Sequence, residues 1–371
     1  MRESLMQASR QQVFRSILVA NLLLIGCSNS KDDARWSTRQ DSIIEADSTL
    51  AKSKQPTFEV LDRNLHGSAE SLLLEASRSE DPLLRANAIE GLQPSKEHLD
   101  EVVRFGLVDE NEGVRFVATM TIGQEKLCSL SHLVRPMLSD PSTSVQAAAI
   151  FALARCGEEP DLNPLASMVL GSDPTAKANA SYILGELGNP SAIPLIRNGV
   201  GRHEASLEAP RAQAIDLIMA EAMVKLGDEE ERQVIQAALF APPERAELSA
   251  LACQMIGGMR DQSMAMNLET MALAEGPRKP GPEIQLLASE ALAKIDPERV
   301  PTEVVVAYIS HERPEIRSQA AMVLGSLGST SFSAQLSTLL RDQDPRVQVA
   351  AAAAILRLGD SSVARSPDEV Y

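Results

Sequence analysis

The sequence predicts an all-α chain, a right-handed α-solenoid of about nine antiparallel helix pairs, and three observations carry that expectation. A helical phrase recurs nine times, its polar slot falling at Arg85, Arg115, Gln146, Lys177, Asp216, Ala246, Gln285, Arg317 and Gln348, in steps of 30, 31, 31, 39, 30, 39, 32 and 31 residues. Within each copy, apolar residues return at intervals of three and four, which is one stripe of an α-helix. Start and stop signals bracket the stripe.

The last two copies show this grammar most clearly, because they superimpose at an offset of 31 residues. Pro314 maps to Pro345, Ile316 to Val347, Ala320 to Ala351, Leu324 to Ile355, Leu327 to Leu358 and Gly328 to Gly359. Asp344 is placed to cap the helix, Pro345 suits a first turn where its missing N–H costs nothing, and Gly359 can take the left-handed conformation that ends it. The same start recurs at Asp81-Pro82, Asp140-Pro141 and Asp173-Pro174, and the same stop at Cys156-Gly157, Leu187-Gly188 and Leu226-Gly227. Alanine fills the stripe in nearly every copy, with Ser249 as the exception, so a neighbouring helix can approach closely. Short amphipathic segments such as 192–200 and 332–340 supply the antiparallel partner of each striped helix.

With these residues in view, the chain resembles the HEAT family, in its short subtype of about 30 residues also found in phycobilin lyases and deoxyhypusine hydroxylase. The resemblance rests on Asp344-Pro345-Arg346-Val347-Gln348 through Leu358-Gly359 and its eight weaker relatives, and spans about four fifths of the chain. It implies a scaffold that binds proteins. It also implies that the ladder of slots at Arg85, Arg115, Gln146, Lys177, Arg317 and Gln348 either bonds to turn aspartates of adjacent repeats or contacts a ligand. We expect the striped helices to form the concave face and to expose those slots.

The N-terminus carries a second message. Arg2, Arg10 and Arg15 precede the apolar run from Ile17 to Ile25, which is too short to span a bilayer and has the form of a secretory signal. The run ends Leu24-Ile25-Gly26-Cys27, which looks like a bacterial lipobox with cleavage before Cys27 and lipid on its thiol. Ser28 follows where an aspartate would direct inner-membrane retention, so the expected address is the cell envelope, at the outer membrane facing the periplasm. Residues 1–26 are thus the signal, 27–56 a polar tether, 57–361 the solenoid and 362–371 a tail. Trp36, in the tether, is expected to make an incidental or membrane-interface contact.

Composition narrows the function. Removing the signal, with three arginines and one glutamate, takes the formal charge from −16 to −18. Such an acidic body is unsuited to nucleic acid, so the partners are proteins, and the membrane is reached through the lipid alone. After Cys27 three cysteines remain, an odd number. Cys156 and Cys253 occupy stripe positions, and with Cys128 they are expected to act as small buried apolar side chains; the alternative is a Cys128–Cys156 bridge between neighbouring repeats.

Neither a cofactor nor a metal is implied. The resemblance to deoxyhypusine hydroxylase raises a di-iron site, but only two His-Glu pairs occur, His203-Glu204 and His311-Glu312, and they stand at different distances from their slots. A phycobilin lyase is at odds with an export signal. Met255, Met259, Met264, Met266 and Met271 near Cys253 offer ligands soft enough for copper, yet their spacing suits core packing. Zinc-type Cys/His spacing, a phosphate-cradling glycine loop and a local Ser-His-Asp motif are absent from the sequence. We therefore expect a non-catalytic scaffold, with a metal-dependent enzyme or copper-binding protein as the alternative.

The two 39-residue steps single out one place. Each inserts about eight residues before a striped helix, near 199–210 and 276–282, at one phase of the repeat. Both insertions should leave the same edge, two repeats or roughly 20 Å apart. Arg202, His203, Arg278 and Lys279 would then make a basic rim on an acidic body, suited to an acidic segment of a partner.

Overall fold

The computed structural model describes residues 64–276 and 279–358, all inside the expected solenoid. These form eighteen α-helices, some preceded by single 3₁₀ turns, and no strand occurs among the described residues. The outer helices are α1 (Leu65–Ala76), α3 (Lys96–Leu107), α5 (Ser131–Val134), α7 (Asn163–Leu170), α9 (Ile193–Gly199), α11 (Arg232–Ala238), α13 (Ala265–Ala272), α15 (Thr302–Tyr308) and α17 (Ser333–Leu339). The striped inner helices are α2 (Pro82–Gly91), α4 (Glu112–Gln124), α6 (Thr143–Arg155), α8 (Pro174–Leu187), α10 (Ala209–Lys225), α12 (Ala246–Met259), α14 (Pro282–Ile295), α16 (Pro314–Ser326) and α18 (Pro345–Ile355). The nine pairs of the α-solenoid are all present.

The helices begin where the capping chemistry places them. Asp81, Asn111, Asp173 and Asp344 each accept a hydrogen bond from a backbone N–H of the first turn. Asp140 does not cap: α6 starts three residues later, after Ser142, and the Asp140 carboxylate is held by Arg115 instead. The polar slots are also less open than expected. The side chains of Arg85, Arg115 and Arg317 are only 11%, 14% and 16% exposed, and Lys177, Gln285 and Gln348 are buried.

One copy was out of register. Helix α12 starts at Ala246, as α8 starts at Pro174 three residues before Lys177, so the slot of this copy is Ser249 and not Ala246. The steps around it become 33 (216 to 249) and 36 (249 to 285) in place of 30 and 39. The misreading arose because this copy has no long polar side chain to mark its slot. Only the first insertion keeps its size, and part of it is helical: α10 begins at Ala209, seven residues before Asp216, and so gains a turn.

The ends of the solenoid meet. Helix α18 packs on both α1 and α2, and a Cβ added at Gly91 of α2 would lie 3.0 Å from the Ala353 Cβ of α18. Nine repeats closing a circle must each turn by about 40°. At every second junction of the inner ring a glycine admits the next helix: a Cβ at Gly257 would lie 2.7 Å from the Ala291 Cα, and one at Gly325 2.7 Å from the Ala354 Cα. The same approach recurs at Gly123 and Gly185, so the structural unit is a pair of repeats. Buried Leu, Ile and Val of the stripe, such as Leu324 and Ile122, fill the space between the two layers, each contributing about 1.5–3 kcal/mol.

Closure leaves little concave surface. With inner helices about 9 Å apart, their axes lie on a circle of about 13 Å radius, and subtracting about 5 Å for each helix leaves a lumen near 8 Å in radius. Long side chains narrow it further. Glu90, Glu221 and Glu290 stand five residues beyond their slots and are buried. Lys294 Nζ lies 2.8 Å from Glu290, and Lys225 pairs with Glu186 and lies 3.5 Å from Glu221 and 4.6 Å from the Tyr182 ring centre. Burial pulls the Arg357 guanidinium below its ordinary value, and Glu290 and Glu90 oppose that pull.

The cysteines divide. Cys128, just after α4, and Cys156, at the end of α6, form a disulfide with Cα atoms 5.3 Å apart. This corrects the expectation that both serve as buried apolar side chains; Cys128 is in fact exposed. The stripe pattern places Cys156 correctly but is blind to the turn beside it. Cys253 is fully buried, and burial pushes its thiol up to about 12.

Candidate interaction surface

The slots form a ladder of two chemistries. Arg85 donates from Nε and Nη2 to Asp109 at 2.7 Å each, Arg115 to Asp140 at 2.8 and 2.9 Å, and Arg317 to Asp342 at 2.7 Å each. Each arginine also donates from Nη1 to two carbonyls of the turn that precedes its own helix: Ser79 and Glu80, Asp109 and Glu110, His311 and Glu312. These planar, charge-assisted forks tie one repeat to the next. Hydrogen bonds donated to the aspartates raise all three arginines above their ordinary values. For Asp140, burial pushes the carboxyl up, but Arg115 and the Ser142 N–H together hold it below the usual range.

The other slots reach carbonyls. Gln146 donates to Asp140 at 2.7 Å, Gln285 to Ala272 and Ala274 at 3.0 Å each, and Gln348 to Leu340 at 3.2 Å. The Lys177 ammonium lies 3.5 Å from the Gly199 carbonyl and also bonds that of Arg202. Desolvation lowers it from its ordinary value, with Asp216 acting against that fall.

Inserted residues are fastened in the same way. Gly201, with φ of +69°, donates its N–H to Asp216 Oδ1 at 2.9 Å, and His203 Nε2 lies 2.9 Å from the same oxygen with its side chain only 11% exposed. Arg202 is exposed and donates to Asn198 at 2.6 Å. In the second loop Lys279 lies 5.7 Å from the Tyr308 ring centre, while Arg278 lies outside the described residues. Of the expected basic rim, therefore, His203 is turned to Asp216, Arg202 to its own helix and Lys279 to the next repeat. Cys27, the lipobox, Trp36 and the tail also lie outside the described residues.

One junction lacks the ladder. Between α10 and α12 the slots are Asp216, of opposite sign, and Ser249; Pro243 stands six residues before Ser249, where Asp109, Asp140 and Asp342 stand before theirs. Val224 occupies the position that is glycine in α4, α8, α12 and α16. A groove of about 430 Å³ opens there, with Leu217 and Leu248 at its apolar floor, Val234 and Phe240 on its wall, and Asp216 and Arg245 at its rim. Phe240 is 61% exposed and Val234 49%. Sequence reasoning missed this groove, although the broken Arg/Asp spacing was a signal that could have found it.

Metal-type residues are dispersed. His203 faces Asp216, His311 Nδ1 accepts from the Arg313 N–H at 3.1 Å, and no group of three or more metal-ligating side chains occurs among the described residues. Met255 and Met264 are buried core residues, and Met266 is 70% exposed.

Residues 302–366 match the family model of HEAT repeats. Among solved structures, the complex of CpcE and CpcF of phycocyanin lyase from Nostoc sp. PCC7120 is similar at 18% identity and a TM-score of 0.40, over 74% of this chain and 98% of that one. An engineered protein is similar at 18% identity and a TM-score of 0.31, over 79% of this chain and 89% of that one. No curated protein sequence matches the chain.

Proposed function

We propose that this chain is a non-catalytic protein-binding scaffold, tethered in the bacterial cell envelope through a lipidated Cys27. The open apolar groove at the α10/α12 junction carries the reading. A soluble ring that leaves Phe240 and Val234 exposed beside a cleft has a surface fit for another protein. The slots of the inner ring, in contrast, bond within the chain, and the lumen is too narrow for a folded partner. Binding then falls to the faces and outer wall.

Two observations support export. The lipobox-like Leu24-Ile25-Gly26-Cys27 ends a signal-like run, and the Cys128–Cys156 disulfide suits an oxidising compartment. Labelled palmitate should enter the wild-type chain in cells and not the Cys27→Ser variant; equal labelling sinks the anchor. In vivo crosslinking from a photoreactive residue at position 240 should capture a discrete protein set that is lost from a probe at buried position 324. Stoichiometric iron or copper in the purified protein would overturn the non-catalytic reading.

A further inference from the structure

Every outer helix runs in the same direction around the ring, so the C-terminal ends of all nine lie on one face. On that face six successive repeats, the second to the seventh, expose large apolar residues: Val108 with Phe105 one turn before it, then Leu138, Leu170, Val200, Phe240 and Leu273. Their exposures run from 38% to 77%. Seven residues before their slots, where Val108 and Leu170 stand, the last two repeats carry the polar Ser310 and Arg341, so the feature is an arc and not a property of every repeat. The groove of about 430 Å³ lined by Phe240 lies on it.

The arc has a second component. In five of its six turns an exposed carboxylate follows the apolar residue within four positions: Glu110 after Val108, Asp173 after Leu170, Glu204 after Val200, Glu244 after Phe240 and Glu275 after Leu273. In the sixth, Asp140 is drawn into its clamp with Arg115. Among the described residues, cations on this face are fewer: Arg202 is engaged by Asn198, Arg245 by Gln213 and Lys279 by Tyr308, and Arg211 is exposed in the first turn of α10. The chain as a whole carries −16. A second copy would set carboxylates against carboxylates, and an anionic bilayer would be repelled as well.

We propose that this arc is the docking surface of the scaffold and that it takes a basic amphipathic segment of a partner protein, apolar residues seated on the arc and Lys or Arg paired with its carboxylates. The proposal rests on the scaffold reading and names the chemistry of its partner. A fluorescent leucine/lysine amphipathic peptide of about 18 residues is the probe, with a leucine/glutamate counterpart and phosphatidylcholine vesicles as comparisons. The protein is the full-length chain bearing Cys27→Ser.

The lysine peptide should bind, and the pair Phe240→Ser, Leu273→Ser, in adjacent repeats that one helix of about 27 Å can span, should weaken it roughly tenfold with the charges intact. The pair Glu244→Gln, Glu275→Gln should weaken it and flatten its salt dependence. These exposed substitutions should leave the melting transition in place; if it moves, Leu170→Ser with Val200→Ser supplies an independent apolar test. Unchanged binding in the apolar variants overturns the proposal. So does preference for the glutamate peptide, which would hand the face to Arg202 and Lys279, or vesicle uptake abolished by Phe240→Ser, Leu273→Ser, which would assign the arc to lipid. Failure here together with crosslinked partners at position 240 leaves the scaffold reading standing.

Discussion

The junction between α4 and α6 and the junction between α10 and α12 are built from the same repeat and end in opposite states. The first has the Arg115–Asp140 fork, two further hydrogen bonds from Arg115 to turn carbonyls, the Gly123–Ala152 approach and the Cys128–Cys156 bridge. The second has Asp216 and Ser249 in the slots, Pro243 where the clamping aspartate would stand, and a groove where the packing would be. In a solenoid, stability is a sum of repeat and nearest-neighbour terms. The difference therefore teaches where this ring can yield surface to a partner without losing its closure: seven strong or moderate junctions and the end-to-end contact hold a circle that one weak junction need not.

The largest loss is expected at Arg115. Arg115→Ala should lose about 3–5 kcal/mol, because it strands the buried Asp140 carboxylate, and urea denaturation with fluorescence or circular dichroism reads the loss. A cost below about 1 kcal/mol would mean the fork is a surface pair. Next comes the bridge. Cys128→Ser, or reduction of the wild type, should lower stability by about 2–4 kcal/mol by freeing the unfolded chain, and Cys253 should stay unreactive to alkylating reagents until the ring unfolds.

Much of this architecture was legible in the residues, and the parts that were not share a cause. The stripe, the Asp-Pro starts and the Gly stops are local signals, so helices such as α16 and α18 could be placed directly. Ring closure was not legible, because it depends on a small rotation per repeat summed nine times, and Gly91 meeting Ala353 is a contact across nearly the whole chain. The copy at Ala246 slipped because its slot is a serine. For the site, the resemblance offered turn aspartates of adjacent repeats as partners of the slots without naming them; they are Asp109, Asp140 and Asp342, each six residues before the next slot. Phe240 and Val234 carry no motif, since an exposed apolar side chain is known only after its neighbours are placed.

A third test acts on packing. At Gly123 a Cβ would meet the Phe151 ring at 2.7 Å and the Ala152 Cα at 2.9 Å, so Gly123→Val should cost about 1–3 kcal/mol through overpacking. Acid provides a fourth. Asp140 is held below the ordinary carboxylate value in the folded ring, so its contribution is present above that ordinary value, near pH 4, and is lost as pH falls through the folded value. Asp140→Asn should lower stability at neutral pH and blunt the further loss between about pH 4 and pH 2, as followed by thermal melts across that range.

The smallest effect belongs to the open junction. Arg245 is exposed and donates one hydrogen bond across it, from Nη1 to the uncharged Gln213 amide oxygen at 3.1 Å. Arg245→Ala should therefore change stability by no more than about 0.5 kcal/mol. The physical reason is that both partners return to water when the bond breaks, in contrast to the Asp140 carboxylate, which stays buried. A loss comparable to that of Arg115→Ala would show that α10 and α12 are clamped through Arg245 after all, and the groove beside Phe240 would then be a rigid surface pit and not a junction left free to accept a partner.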